Sequence, residues 1–292
     1  MLKSRGEKIF SVINTMLMVM LSLVFVLPYM MILSTSLTAE IYLSAHGPTL
    51  FPVQFSFASY KFIFTAQKLF VHSILNSVYL TVVGTLLGVT VCTLLAFSLS
   101  RKGLVGKKQI TFYVVFTMLF SGGIIPYYLV VSGLGLLNSL WSIILPGAVN
   151  AWNTILIRNY FSTIPDSLEE SAKLDGATNF KVMTSIIVPL SKPVIATVTL
   201  FFGVGFWNNW FGPMLFIDSG HRHLYPIQYL LREMLQSLNA VVGDLGGGSA
   251  TNLPSEGIKN ASIIIATLPI IMVYPFLQKY FIKGVILGSV KE

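Results

Sequence analysis

The sequence predicts an all-α integral membrane protein with six transmembrane helices, and three observations carry that prediction. Of its 292 residues 54% are hydrophobic and only 10% charged, against about 25% charged in soluble domains. Five strongly apolar stretches hold no Asp, Glu, Lys or Arg: residues 9–39, 69–100, 109–157, 193–217 and 260–278. Lys and Arg concentrate in alternate segments between them. A hydrocarbon core about 30 Å thick needs about 20 apolar residues per helix, so every stretch is long enough to cross. The composition excludes an ordinary soluble globular domain.

The first span is placed at Phe10 to Leu33. Its apolar run exceeds that of a cleaved signal peptide, and no clear small-x-small cleavage site follows, so it is read as retained. The second span, Ile74 to Leu99, contains Cys92, the single cysteine, which has no intrachain disulfide partner. The stretch 109–157 is too long for one helix. Ser121, Gly122 and Gly123, then Gly133, Gly135 and Asn138, divide it into spans at Ile110 to Val131 and Leu140 to Ile157. The fifth and sixth spans are Val194 to Leu215 and Ala261 to Leu277; beyond the latter, Gly284 and Gly288 are poor continuations of a helix. The whole chain, 1–292, reads as one transmembrane domain, and six spans place both termini on one face.

Orientation follows from basic residues, because cytoplasmic loops retain Lys and Arg. With the N-terminus inside, fourteen of the nineteen basic residues fall on the cytoplasmic face. Acidic residues divide six inside and five outside, so the formal +8 lies on the inner face and the outer face is neutral. Topology thus accounts for the basic character, and no nucleic-acid partner is expected. A membrane location with both termini cytoplasmic follows.

The inner segment 158–192, between spans four and five, is strongly patterned. Pro165, Asp166 and the capping box from Ser167 to Glu170 predict a helix start, with acidic residues at the positive end of its dipole. Gly176 breaks that helix. A second begins near Thr178 or Asn179 and runs to Pro189, giving a bent helix pair on the inner surface. Ala172 and Ala177 keep part of this surface small, and Phe180, Val182 and Met183 supply apolar knobs. By residue chemistry alone, the pair either enters a groove of another protein or lies on lipid headgroups.

Glu170-Ser171-Ala172, Asp175-Gly176-Ala177 and Ile186-Ile187-Val188-Pro189 resemble the "EAA" loop of ABC importer permeases, with Ser171 in place of Ala and Val188 in place of Leu. The resemblance implies the type I ABC importer permease fold, with a cytoplasmic EAA coupling helix that docks into a cleft of an ATPase subunit. Glu169, Glu170, Ser171, Ala172, Asp175, Gly176, Ala177, Ile186 and Pro189 are the implied coupling residues. Glu170 would meet a basic residue of the ATPase, and Gly176 permits the bend. Trp207-Asn208, Tyr225-Pro226-Ile227-Gln228, Leu268-Pro269 and the tail from Tyr280 to Lys291 resemble the smaller maltose-type carbohydrate permease. Trp207 to Phe211 and Tyr274 to Tyr280 are most similar to the branch for complex, uronate-containing oligosaccharides. That resemblance implies a second permease subunit, two ATP-binding subunits, an extracytoplasmic solute-binding protein and an oligosaccharide substrate as partners. It also implies a tail near the ATPase dimer interface.

No Gly-x-x-x-x-Gly-Lys-Ser/Thr phosphate loop occurs, so ATP and Mg²⁺ are assigned to the partner ATPase subunits, and this chain is expected to bind no cofactor and no metal. His221 and His223 lack an adjacent Cys or carboxylate cluster, and nothing assembles a nucleophile with its base, so no catalytic site is expected. Polar residues in spans face other helices or a water-filled path. Asn150, Trp152, Asn153, Trp207, Asn208 and Asn209 are candidates for a sugar pathway, with helix joining and the interfacial aromatic belt as the competing account. The outer segment Asp218 to Asn260 starts with a short helix near Leu230 to Leu235 and continues into a glycine-rich stretch. There Gly243, Asp244, Gly247, Ser249 and Asn252 are candidate contacts with the binding protein, on the resemblance to a loop that probes the sugar-binding cleft. A secondary transporter would need carboxylates within its spans, and the uncharged stretches contain none. A permease for a non-carbohydrate solute is the remaining alternative.

Overall fold

The computed structural model describes residues 5–243 and 255–289, in which the regular elements are helices and the one β-feature is an isolated antiparallel bridge between Thr38 and Phe55. In chain order these are α1 (Arg5–Ser36), α2 (Glu40–His46), α3 (Ala58–Ala66), α4 (Lys68–Ser100), α5 (Lys107–Leu119), α6 (Ile124–Gly133), α7 (Trp141–Ala148) and α8 (Ala151–Phe161). There follow α9 (Asp166–Leu174), α10 (Asn179–Val182), a π turn (Met183–Ile187), α11 (Val188–Leu190) and α12 (Lys192–Trp207). The last are α13 (Phe211–Phe216), a 3₁₀ turn (Ser219–Leu224), α14 (Ile227–Gly243) and α15 (Glu256–Ser289). The chain forms two compact units, Met1–Val71 with Leu231–Leu268, and His72–Leu230 with Pro269–Glu292.

Among the described residues, three segments are long and apolar enough to cross a bilayer as single helices: Gly6–Ser36, Lys68–Ser100 and Glu256–Val273. Two more qualify only as bent pairs, Lys107–Leu119 with Ile124–Gly133 at 119°, and Asn179–Leu190 with Lys192–Trp207 at 86°. The sequence reading had one continuous helix over Ile110 to Val131. The break comes where Phe120 is extended and Gly123 sits at φ +88°, a left-handed value that glycine adopts freely. Leu140 to Ile157 is likewise two short helices, parted by extended Val149 and Asn150. Val194 to Leu215 is interrupted between Trp207 and Phe211. The stop expected after Leu277 does not occur, since α15 runs to Ser289. A helical glycine costs only about 1 kcal/mol against alanine, too little for Gly284 and Gly288 to end an established hydrogen-bond ladder.

In the first unit, α1 exposes apolar side chains around its whole circumference, as a helix surrounded by acyl chains would. Its polar groups are satisfied internally: the hydroxyls of Thr15 and Ser22 each donate 2.8 Å to the carbonyl four residues back. The connection after it is tied by Ala39 N to Gln54 O and Ser56 N to Leu37 O, both 2.8 Å. Glu40 accepts from Gly257 N at 3.3 Å, setting a carboxylate at the N-terminus of α15.

The second unit packs α4, α7, α8, α10 and α12 around one core that includes Leu80, Ile144, Ile157, Phe161, Val182 and Val198. Aromatic rings enter glycine notches in it. A Cβ added at Gly88 would lie 2.7 Å from the Phe202 ring, and one at Gly84 2.7 Å from Phe206. Phe206 also faces Gly147 of α7, where an added Cβ would stand 2.9 Å away. The absence of side chains is therefore what lets α4 and α7 receive α12. The π turn immediately precedes Pro189, with Val188 N bonded to Met183 O. The wider register accommodates a residue that has no N–H and crowds the preceding turn.

Candidate functional site

The 158–192 loop builds its geometry from two capping devices and a set of ion pairs. Extended Pro165 precedes α9 with no side-chain cap, so the helix starts at Asp166. This corrects the capping-box reading: Ser167 lies inside the first turn, where its hydroxyl cannot take the N-cap role. Pro165, at ψ 132°, takes the N-cap position two residues before the Ser167 expected there. The acidic residues of the first turn are Asp166 and Glu169, and both are held by the end of α4. Arg101 Nη1 pairs with Glu169 Oε2, and Lys102 Nζ with Asp166 Oδ2. Lys173 adds a second bond to Glu169, 2.8 Å long and one helical turn away.

The guanidinium of Arg101 is itself set from behind. It lies 4.8 Å from the centre of the Phe97 ring, and its Nε donates 3.0 Å to Ser100 Oγ. Partial burial pushes the Glu169 carboxyl up, but the hydrogen bonds from Lys173 and Arg101 outweigh it and hold the group below the usual carboxylate range. The hydrogen bond and charge of Lys102 lower Asp166 in the same sense. These residues, with Ser98, Gly103, Leu104, Glu170 and Asn179, line a cleft of ≈ 520 Å³. Glu170 is exposed and in no salt bridge among the described residues.

At the other end of α9, Gly176 has φ +78°, Ala177 N bonds Ala172 O at 2.9 Å, and Gly176 N bonds Lys173 O at 3.0 Å. That is a Schellman closure with glycine at C′. Thr178 then caps α10, its hydroxyl accepting from Lys181 N at 3.3 Å. Ala172, Ala177 and Ile186 are partly buried against the core, while Ser171, Asp175 and Pro189 are exposed. Of the expected knobs, Val182 and Met183 are core residues, because the face of α10 and the π turn that carries them packs inward. The most exposed apolar groups are Leu174 at 90% and Phe180 at 67%, on either side of the glycine bend. Sequence reasoning missed Leu174 as a surface group, and took Arg101 and Lys102 only as topogenic charge. The available signal was charge complementarity between the end of span two and the acidic start of the loop.

The pathway candidates scatter over two helices, α8 and α12, and the junctions beside them. Asn150 caps α8, its Oδ1 accepting from Asn153 N at 2.9 Å, and its carbonyl takes Thr154 N and Oγ1. Asn153 is buried and Trp152 is 62% exposed. Asn209 Oδ1 accepts from Gly212 N at 2.9 Å at the start of α13, and Asn208 Oδ1 from Gln228 Nε2 at 3.3 Å. Trp207 is buried in the packing of α12. Elsewhere, Asn138, at φ +56°, and Asp218 clasp reciprocally: Nδ2 to Oδ2 at 2.7 Å and Asp218 N to Asn138 Oδ1 at 2.9 Å. His221 Nδ1 lies 2.8 Å from Asp218 Oδ1. The hydrogen bond with His221, then that from Asn138, holds this carboxyl below its usual range. The short helix expected near Leu230 is the 17-residue α14, ending at Gly243. Asp244, Gly247, Ser249 and Asn252 lie outside the described residues.

Residues 1–287 match the family model described as binding-protein-dependent transport system inner membrane component. The chain is 41% identical over 286 residues to the polygalacturonan/rhamnogalacturonan transport system permease protein YtcP of Bacillus subtilis (strain 168), covering 98% of this chain and 99% of that one. It is 41% identical over 290 residues to protein LplC of the same organism, covering 99% and 97%. Among solved structures it is similar to a bacterial ABC transporter involved in the import of the acidic polysaccharide alginate. That match has 33% identity and a TM-score of 0.86, covering 96% of this chain and 99% of that one.

Proposed function

The chain belongs to the family of binding-protein-dependent transport system inner membrane components, and from that premise we propose that it is the six-span permease subunit of an importer for acidic oligosaccharides. One close relative is named for polygalacturonan and rhamnogalacturonan, and the similar solved structure for alginate. Those two names support a uronate-bearing substrate. The chain pairs with a second permease, two ATP-binding subunits that hold ATP and Mg²⁺, and an extracytoplasmic binding protein. It contributes no hydrolytic residues of its own. Both termini lie in the cytoplasm, and the spans are those of the sequence reading, with spans three to five each made of two helical pieces.

The observation that carries this reading is the bent pair α9–α10. Two exposed apolar side chains, Leu174 and Phe180, flank a glycine turn on a loop outside the apolar stretches. A capped helix with apolar tips beside a free carboxylate suits a cleft in a basic partner. Glu170 supplies the contact with the ATPase, while Asp175, Gly176 and Ala177 fix the bend. Closure of the ATPase dimer pushes this elbow, and α12, joined to it across the 86° bend, passes the motion into the membrane. Asn150, Asn153, Asn208 and Asn209, with Trp152 and Trp207, border the sugar path, and the glycine-rich stretch 243–257 is assigned as the contact with the binding protein.

The test is reconstitution of the four-component complex in proteoliposomes with galacturonate and alginate oligosaccharides offered outside. Wild type imports them at the expense of ATP inside. Glu170→Lys is expected to hydrolyse ATP without import, or to lose its ATPase subunits; normal coupled import by this variant would overturn the loop assignment.

A further inference from the structure

The end of α4 is fastened to the loop helix by two ion pairs that no motif of the loop itself announces. Arg101 and Lys102 follow the last residue of α4, Ser100, and reach Glu169 and Asp166, both in the first turn of α9. The Arg101–Glu169 pair is the shielded one, with side-chain exposures of 18% and 12%, whereas Lys102 is 87% exposed. Shielding matters because exposed pairs contribute little, and charge-assisted bonds away from water contribute more. The fastening is also stiff at its root. Arg101 is backed by Phe97 and Ser100, and Lys107 Nζ donates to the carbonyls of Ser100 and Arg101 at 3.3 and 3.0 Å, closing the C-terminus of α4.

The geometry points to Arg101 as a positioning residue for energy coupling: it bolts the leading helix of the loop to α4, so that thrust on the loop enters the membrane through α4 as well as α12. This rests on the coupling-loop reading above and adds a second route to it. The two routes converge, since α4 receives the rings of Phe202 and Phe206 from α12 in its glycine notches. The loop is thus held at both ends of one rigid pair, by charge at α9 and by covalent continuity at α12. Without the bolt, α9 is free to swing on the Gly176 turn, and part of each stroke is spent on that swing.

The experiment uses the full complex in proteoliposomes and measures ATP hydrolysed per galacturonate oligosaccharide imported, with retained ATPase subunits quantified on the same preparations. Arg101→Glu is expected to raise that ratio about tenfold, the scale of one charge-assisted contact shielded from water. It should keep its ATPase subunits. Adding Glu169→Arg should restore the ratio to within about twofold of wild type, which a merely structural defect would not permit. A wild-type ratio for Arg101→Glu, alongside an uncoupled Glu170→Lys control, overturns the bolt and leaves the loop reading standing. A coupled Glu170→Lys control overturns the loop reading itself. If Arg101→Glu does not assemble, Arg101→Gln decides: an unchanged ratio in that variant also overturns the proposal.

Discussion

Replacing Gly176 separates backbone geometry from surface contact in the α9–α10 elbow. An added Cβ there meets no heavy atom within 4 Å, and φ is +78°, so within this chain the cost of a side chain is conformational alone. Alanine in the left-handed region costs about 1–2 kcal/mol, which shifts the ratio of bent to unbent elbow about 5- to 30-fold. Asparagine tolerates that region better than other non-glycine residues, and its cost is smaller. Proline cannot reach a positive φ, and it removes the 3.0 Å bond from Gly176 N to Lys173 O. Its cost is about 3 kcal/mol or more. The expected order of import per ATP in proteoliposomes is therefore glycine, asparagine, alanine, proline, with proline nearly uncoupled. The reasoning is refuted if asparagine is as damaging as proline, because crowding by the side chain would then be the cause.

Two other predictions test the packing and the electrostatics. Gly88→Ala drives a Cβ to 2.7 Å from the Phe202 ring and should destabilise the complex by about 1–3 kcal/mol. Phe202→Leu in the same chain should recover part of that loss in thermal unfolding of the detergent-solubilised complex, whereas strictly additive losses would show that the two do not touch. Glu169 is held below its usual pKa, so its contribution to the folded loop is complete above the ordinary carboxylate range and is lost only as pH falls through the depressed value. ATP consumed per sugar imported should accordingly be flat between about pH 6 and 8 inside the vesicles; a step in that window that disappears in Glu169→Gln would contradict this assignment.

Much of the inner loop is local, and local features are the readable ones. The bend at Gly176 and the helix start at Thr178 follow from residues within one turn of each other. Asn150 as the cap of α8 was also within reach, since it stands three residues before the amide it binds, yet it was weighed only as a pathway or helix-joining residue. Other features depend on distance along the chain. Arg101 and Glu169 are 68 residues apart, so composition shows two complementary charges without saying which pairs form. Val182 and Met183 resemble surface knobs until the packing of α10 into the core decides which face is turned in. That the apolar stretches form helices was legible from their length and composition. The breaks at Phe120–Gly123 and Val149–Asn150 were less so, because an apolar residue can sit in extended backbone as readily as in a helix.

The ring of Phe206, seated between Gly84 and Gly147, acts like a tooth meshed with two racks. Close-packed interiors deform little and tend to switch between discrete arrangements, so α12 cannot creep past α4 and α7 by small increments. Either the three helices travel as a block, or the ring leaves its seat and finds another. A gate geared this way is quantised: partial strokes are rejected, and each one either turns the block or does nothing.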